Sequence, residues 1–367
     1  GDWDLCSLDG AAGDSPGFSS RYSTKHRYCY PVSNLSQQRI DELEDQISDG
    51  LVQVEDRLTQ VLSDDRGVLD DIVGHLAKAG GKRMRPGLVL LCSHLGQRPS
   101  SEEVLRACVV VELTHLATLY HDDVMDSAPT RRGVNAVQRV WGNNRAVLAG
   151  DLVFARASQM VATLGPEAVL QHAVTFDRLC RGQLNETFGL EAGQDPVEFY
   201  IQVLADKTGS LVAQSARFGA ELSGAPEAVT NAVIQFGEKI GVAFQLADDV
   251  IDLSSDSADS GKTPGTDLRE GVDTMPILLL RQDAARGVLD EDGQKILAEL
   301  SRGTLVSEDA ALDRVVQMLR AHSVLERTRQ LAFSWCEDAK AAIAFLEDNE
   351  VKAALEKFAD TLVDRIA

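Results

Sequence analysis

The 367-residue chain carries a formal net charge of −21 and is 44% hydrophobic, enough apolar material for one large core or two smaller ones. The acid excess excludes an ordinary nucleic-acid binder, whose footprint is basic, and disfavours attraction to anionic lipid heads. A polyanionic substrate would therefore need cations concentrated locally, as metal or as a few placed Lys and Arg side chains.

Residues 1–34 are rich in Gly, Ser and Asp without helical period, and read as a tail of low order. Gly1 in place of Met suggests processing or a residue left by cloning, while Asp2, Asp4 and Asp9 argue against a transit peptide. Residues 35–367 read as a single domain. From Ser36 onward apolar residues recur at helical steps, with Ile40, Leu43, Ile47, Leu51, Val54, Leu58 and Val61 on one stripe. A second helix is predicted over 68–79, ending at Gly80-Gly81. Further helices are predicted over 85–95, 101–121, 145–164, 169–188, 197–222 and 228–251, with three or four more between 275 and 367. Breaks fall at Pro99, Pro129, Gly165-Pro166, Pro196, Gly224-Ala225-Pro226 and Pro264-Gly265. The expected fold is all-α: one bundle of about ten or more helices. No apolar run reaches the ~18 residues of a membrane span, and no apolar signal core stands near the N-terminus. Cys6, Cys29, Cys92, Cys108, Cys180 and Cys336 form no CxxC pair and have no His at metal-ligand spacing. Cys92, Cys108 and Cys180 read as small core residues. A cytoplasmic location follows from these readings.

Two acidic clusters carry the chemistry: Asp122-Asp123-Val124-Met125-Asp126 and Asp248-Asp249-Val250-Ile251-Asp252. Each follows an apolar helical run, and residues four apart share a helix face. The outer aspartates of each cluster can aim at one point. Carboxylate pairs set against apolar walls need a compensating cation, and hard oxygen donors suit magnesium, which shares its shell with substrate phosphates.

Basic motifs accompany them. Gly80-Gly81-Lys82-Arg83-Met84-Arg85-Pro86 joins two helices. Its glycines permit close backbone approach, the following helix offers N–H groups, and Lys82 and Arg85 supply charge. Arg131-Arg132-Gly133 lies in a loop five residues after Asp126, so its two arginines can face different phosphates. His115 precedes Asp122 by two helical turns, and Gln245 precedes Asp249 by one. Lys207-Thr208 and Lys262 are weak signals singly.

Together these motifs (GGKRMRP, HDDVMD with RRG, KT, FQLADDVID and GKTPGTD) resemble the trans-isoprenyl diphosphate synthases of the polyprenyl synthetase family, from about Arg39 onward. The resemblance implies an all-α bundle around a deep central cavity, usually as a homodimer. It implies that Asp122, Asp126 and Asp248 hold a cluster of up to three Mg2+ ions on an allylic diphosphate, supported by Asp123, Asp249 and Asp252. Lys82, Arg85, His115 and Arg132 match the isopentenyl diphosphate site. Arg131, Lys207, Thr208, Gln245 and Lys262 match the allylic site. One departure is Glu270-Gly271-Val272, where the family often has a lysine after Gly; weaker allylic binding is expected.

The implied reaction is a head-to-tail (1'-4) condensation in which Asp122, Asp126, Asp248, Lys207 and Arg131 serve ionisation. Ala117 and Thr118 stand five and four residues before Asp122, about one turn deeper. Their small side chains leave room for a growing tail, and a product of about C30–C50, with C40–C45 favoured, is expected for a respiratory quinone such as menaquinone. Residues near Met160 or Phe176 are candidates for the tunnel floor. Alternatives are a short-chain (C15–C20) synthase and a non-catalytic subunit of a heteromeric synthase. A terpene cyclase fits less well because the second-diphosphate motif GGKR is present, and a head-to-head synthase less well because both DDxxD clusters are complete.

Overall fold

The computed structural model describes residues 34–63, 67–191, 193–254, 264–303, 305 and 309–366. Apart from one two-residue hairpin (β1 Thr130–Arg131, β2 Val134–Asn135), the regular structure of these residues is helical. The helices are α1 (Asn34–Leu62), α2 (Val68–Lys78), α3 (Met84–Ser93), α4 (Glu102–Met125), α5 (Val137–Trp141), α6 (Asn143–Ala162), α7 (Pro166–Phe188), α8 (Pro196–Leu204), α9 (Ser210–Ser223) and α10 (Glu227–Ser254). They continue as α11 (Thr266–Arg269), α12 (Met275–Ala285), α13 (Glu291–Ser301), α14 (Asp309–Ala321), α15 (Ser323–Ala342) and α16 (Glu350–Val363). The expected all-α fold is present, with five helices after residue 275 where three or four were expected.

α4 lies at the centre because its sequence is apolar on every side; residues from Val104 to Ala117 are buried nearly without interruption. It packs against α6, α3 and α9. Ser101 caps its start, accepting from the Val104 N–H, and Glu102 and Glu103 suit the positive end of its dipole. α10 is the second central rod, packed on α15 and α9. The apolar side chains form three contiguous clusters: one around α4 and α6, one between α10 and α12–α14, and one around α3, α9, α10, α15 and α16.

The helix expected over 197–222 is divided. A π-helical turn, Ala205–Gly209, separates α8 from α9 and carries Lys207 and Thr208. The turn is pressed from both sides by glycines. A Cβ on Gly182 of α7 would come within 2.7 Å of the Lys207 backbone nitrogen, and one on Gly241 of α10 within 2.6 Å of the Gly209 Cα. Any larger residue would push the turn off the two helices.

Among the cysteines, Cys92, Cys108 and Cys336 are buried and free, as core residues should be. Cys180 departs from expectation: it is exposed, on an outer face of α7. The 3.6-residue period placed it among apolar neighbours, but several of those, Val174 and Leu184 among them, are themselves exposed. No helix among the described residues is long and apolar enough to cross a membrane.

Candidate active site

Both acidic clusters sit at helix C-termini, where the dipole disfavours them. Asp122 and Asp123 lie in the last turn of α4 and Asp126 is its C-cap; Asp248, Asp249 and Asp252 occupy the last two turns of α10. A local rule broken twice in the same way marks a site whose carboxylates serve something other than stability.

Within each cluster the outer and inner aspartates differ. Asp122 is half-buried. Burial pushes its carboxyl up to about 6 against the pull of Lys207, with Asp126 adding repulsion. Asp126 is raised by burial too, again opposed by Lys207. Asp123, 1% exposed, turns inward: Arg131 Nε and Nη2 donate to its Oδ1 at 2.7 and 2.6 Å. Its Oδ2 is buried without a hydrogen bond. Gln138 Nε2 fixes the corner by donating to the Asp123 and Ala128 carbonyls, both at 2.7 Å. Asp249 behaves in parallel. Tyr200 OH donates to both of its oxygens at 3.1 Å, and the Met275 N–H at the start of α12 donates to Oδ2 at 3.1 Å. Burial holds its carboxyl well above the usual range. The inner aspartates thus position their helices, and the outer ones remain at the surface of the site. Asp248 Oδ1 accepts from Arg365 Nη2 at 2.8 Å, and Asp252 Oδ1 accepts from the Thr266 N–H at 3.2 Å.

Charge links the two clusters. Lys207 pairs with Glu186 of α7, and both act on Asp122 and Asp126. Glu186 in turn acts on Tyr200, the partner of Asp249. Both clusters are therefore coupled to this region, the first through Lys207 of the π-helical turn and the second through Tyr200 and Glu186. Thr208 is buried in that turn, and Gln245 is half-buried on α10. Lys262 lies outside the described residues. Beneath the turn, Arg178 ties Asp206 at 2.7 Å to Glu238 of α10, so that three elements are locked together.

The basic site is built on Glu112, which α4 buries to 2% exposure inside the run Val109–Leu113. Its Oε1 accepts from Arg83 Nη1 at 2.7 Å and from Arg132 Nη2 at 3.2 Å. Arg83 also pairs with Glu55 and donates to the Ala77 carbonyl at 3.1 Å. This ion cluster holds Arg83 in the left-handed region at φ 45° and Arg132 at φ 53°, conformations that cost an L-residue about 1–3 kcal/mol. Arg132 Nη1 donates to the Leu76 and Gly80 carbonyls, at 3.1 and 2.5 Å, and so closes the end of α2. Gly81, at φ 155°, is required here. A Cβ would lie 2.9 Å from the Arg132 guanidinium carbon.

Around that foundation lie the anion-binding groups. Arg85 has a buried Nε without a hydrogen-bond partner, and burial lowers its guanidinium to about 10, with Arg132 nearby adding repulsion. His115 is pushed well below its usual range by burial and by Arg85, Arg132, Arg131 and Arg83. Burial and these four guanidiniums disfavour its protonated form. Lys82 is exposed at the rim. Arg83 and Arg132 are compensated by Glu55 and Glu112, and Arg131 by Asp123; Arg85, with no hydrogen-bond partner at its buried Nε, leaves positive charge that an anion would satisfy. Of the chain-length candidates, Ala117 is 1% exposed within the α4–α6 core, and Thr118 is half-buried with its hydroxyl donating to the His115 carbonyl at 2.8 Å. One turn deeper, Thr114 Oγ1 meets His172 at 2.9 Å, and His172 stacks on Phe154, which stacks on Phe176.

The polyprenyl synthetase family signature matches residues 66–311. The chain belongs to that family. It is a prenyltransferase of the trans-isoprenyl diphosphate synthase type, as the motifs implied. Over 316 residues it is 40% identical to nonaprenyl diphosphate synthase of Mycobacterium tuberculosis, covering 86% of this chain and 92% of that one. It is 33% identical to heptaprenyl diphosphate synthase component 2 of Geobacillus stearothermophilus, over 85% of this chain and 95% of the relative. Among solved structures it resembles geranylgeranyl pyrophosphate synthase from Corynebacterium glutamicum complexed with calcium and isoprenyl diphosphate, at 40% identity and a TM-score of 0.76, covering 89% and 98% of the two chains.

Arg83, Glu112, Tyr200, Glu186 and Arg365 do work in this prenyltransferase that the motif reading did not assign. Glu112 carried a signal: a lone carboxylate inside an apolar run that helical geometry must bury. The others act through contacts between distant segments.

Proposed function

We propose that this prenyltransferase condenses isopentenyl diphosphate head-to-tail with an allylic diphosphate, giving a long all-trans polyprenyl diphosphate of about C40–C45. The observation that carries the reading is on α4. Partnerless Arg85, at the start of α3, and His115 of α4 form an anion pocket, and seven residues after His115, about 10 Å along α4, the desolvated Asp122 begins a cation pocket. One helix therefore serves two diphosphates of opposite requirement.

The oxygen donors of Asp122, Asp126, Asp248 and Asp252 fit Mg2+ as hard carboxylates: burial raises the Asp122 carboxyl despite Lys207 and Arg131, and the nearby Asp123 Oδ2 has no hydrogen-bond partner. No group of three or more metal-ligating side chains stands together among the described residues. Bound there, magnesium would stabilise charge on the departing diphosphate.

The protein's own groups do the rest. Lys207 and Arg131, oriented by Glu186 and Asp123, face the allylic diphosphate as its C1–O bond breaks. Arg85, Arg132, His115 and Lys82 fix the second diphosphate so that C4 of isopentenyl diphosphate meets the allylic C1. The new C–C bond forms there, and the C2 proton passes to the released diphosphate. Apolar faces of α4 and α6 keep water from the cation. Exposed Leu148, Leu170, Val174, Leu184 and Phe188 on α6 and α7 (65%, 58%, 54%, 52% and 82%) favour a homodimer through that face.

The small Ala117 and the nonaprenyl relative favour a long product; the geranylgeranyl relative favours a C20 product. Incubation with magnesium, labelled isopentenyl diphosphate and farnesyl or geranylgeranyl diphosphate, with products sized after dephosphorylation, decides between them. A ladder ending near C40–C45 supports the reading, and termination at C20 overturns the role given to Ala117 and Thr118.

A further inference from the structure

After α16 the chain makes a 3-10 turn, Asp364–Ile366, that returns to the second aspartate cluster. Both flanks of the turn are anchored. Val363 is buried in the α9–α10–α15 core and Ile366 in the core between α10 and α12–α14. Arg365, between these anchors, is delivered to a fixed place. Its guanidinium lies 4.6 Å from the Phe244 ring centroid, its Nη2 donates to Asp248 Oδ1 at 2.8 Å, and its Nε donates to the Leu362 carbonyl at 3.1 Å. Phe244 and Asp248 are one helical turn apart on α10, so ring and carboxylate form a single seat for the cation.

The first cluster is arranged differently. The cations nearest Asp122 are Lys207 and Arg131, and each is already bonded to another carboxylate, Glu186 or Asp123. At the second cluster, Arg365 is bonded directly to an outer aspartate. The pair is accessible to solvent, at 29% for the arginine side chain and 41% for the aspartate. Exposed pairs are weak enough to exchange.

We propose that Arg365 is a displaceable counter-cation for Asp248, which an incoming divalent ion must replace at Oδ1. Arg365 thereby sets how tightly the free protein holds metal before any diphosphate binds. It offsets the charge of Asp248 while the site is unloaded, and limits metal uptake until the substrate's own charge assists. The inference rests on the assignment of Asp248 to the metal site.

The test uses the full chain and Mn2+ alone, with free Mn2+ followed by its paramagnetic resonance signal and no diphosphate present. Arg365→Gln should tighten Mn2+ binding about two- to fivefold, Phe244→Leu should move it in the same direction, and Arg365→Lys should stay near the parent. The urea midpoint of each variant is measured alongside, since a purely structural role would lower it without tightening metal binding. Unchanged or weaker Mn2+ binding in Arg365→Gln overturns the proposal. Asp248→Ala separates the two failures. If it weakens Mn2+ binding while Arg365→Gln does nothing, only the counter-cation role falls; if it too does nothing, the metal-site assignment falls.

Discussion

Replacing Glu112 by Gln removes the single negative charge shared by Arg83 and Arg132. The three side chains are 3%, 4% and 15% exposed for Glu112, Arg83 and Arg132, so water compensates little of the loss. At ~4 Å and an effective dielectric near 20, each pair is worth about 4 kcal/mol before desolvation is subtracted. Removing one partner from a buried pair costs about 3–5 kcal/mol net. Gln keeps the shape and one acceptor oxygen, which places Glu112→Gln at the low end, about 3 kcal/mol. For a chain of this size that corresponds to a melting temperature lowered by roughly 4 °C. The loss reaches the site because Glu112 holds Arg132, and Arg132 closes the end of α2 beneath Gly80 and Gly81. The KM for isopentenyl diphosphate should therefore rise about tenfold or more, while the KM for the allylic substrate moves little. Urea unfolding followed by circular dichroism gives the stability change, provided the slope is unchanged; steady-state kinetics gives the KM split. A loss below about 1 kcal/mol with both KM values unchanged would refute the claim that Glu112 is the foundation of the anion pocket.

Asp122→Asn should abolish turnover by about a thousandfold yet stabilise the free protein. The sign follows from the raised carboxyl. With a folded value of about 6 against an ordinary ~3.9, the fold is favoured at low pH and loses that advantage as pH rises through 6. After allowing for partial solvent screening, the gain in the Asn variant at pH 8 is about 1 kcal/mol, read from urea midpoints across pH 4–8. Asp249→Asn, which keeps an acceptor for Tyr200 OH or the Met275 N–H, should lose less than about tenfold in kcat, against roughly a thousandfold for Asp248→Asn; equal losses would place the inner aspartate on the metal. Ala117→Phe should shorten the product to C15–C20 and, through overpacking of the α4–α6 core, cost about 1–3 kcal/mol of stability. Chromatographic sizing and a melting curve on the same sample check both.

The sequence made the helices and the opposed acid and base motifs legible because both depend on local spacing. Apolar steps of three and four residues specify α1, a long run apolar on every side specifies α4, and the Asp122–Asp126 and Asp248–Asp252 spacings put their outer carboxylates on one helix face. Several features depend instead on contacts across the fold. Residues 197–222 read as one helix because an i→i+5 turn leaves no composition signal; Gly182 and Gly241, on other helices, leave the room it occupies. The difference between outer and inner aspartates is equally hidden, since it depends on Arg131 and Tyr200 arriving from other elements. Arg83 stands between Lys82 and Arg85 in one basic run and drew no role from the motif, yet it is a buried structural ion because Glu55 and Glu112 face it. Cys180 followed the apolar period of α7, but that helix leaves an apolar side exposed.

The central claim is that this chain alone transfers an allylic group to isopentenyl diphosphate. Mixing purified protein with magnesium, farnesyl diphosphate and isopentenyl diphosphate, and counting inorganic diphosphate released, tests it most directly. The account predicts one diphosphate released for each isopentenyl unit consumed, no release when isopentenyl diphosphate is omitted, and none from Asp122→Ala or Asp248→Ala. Release from the allylic substrate alone would indicate a cyclase, and no release from the complete mixture would contradict self-sufficient prenyl transfer.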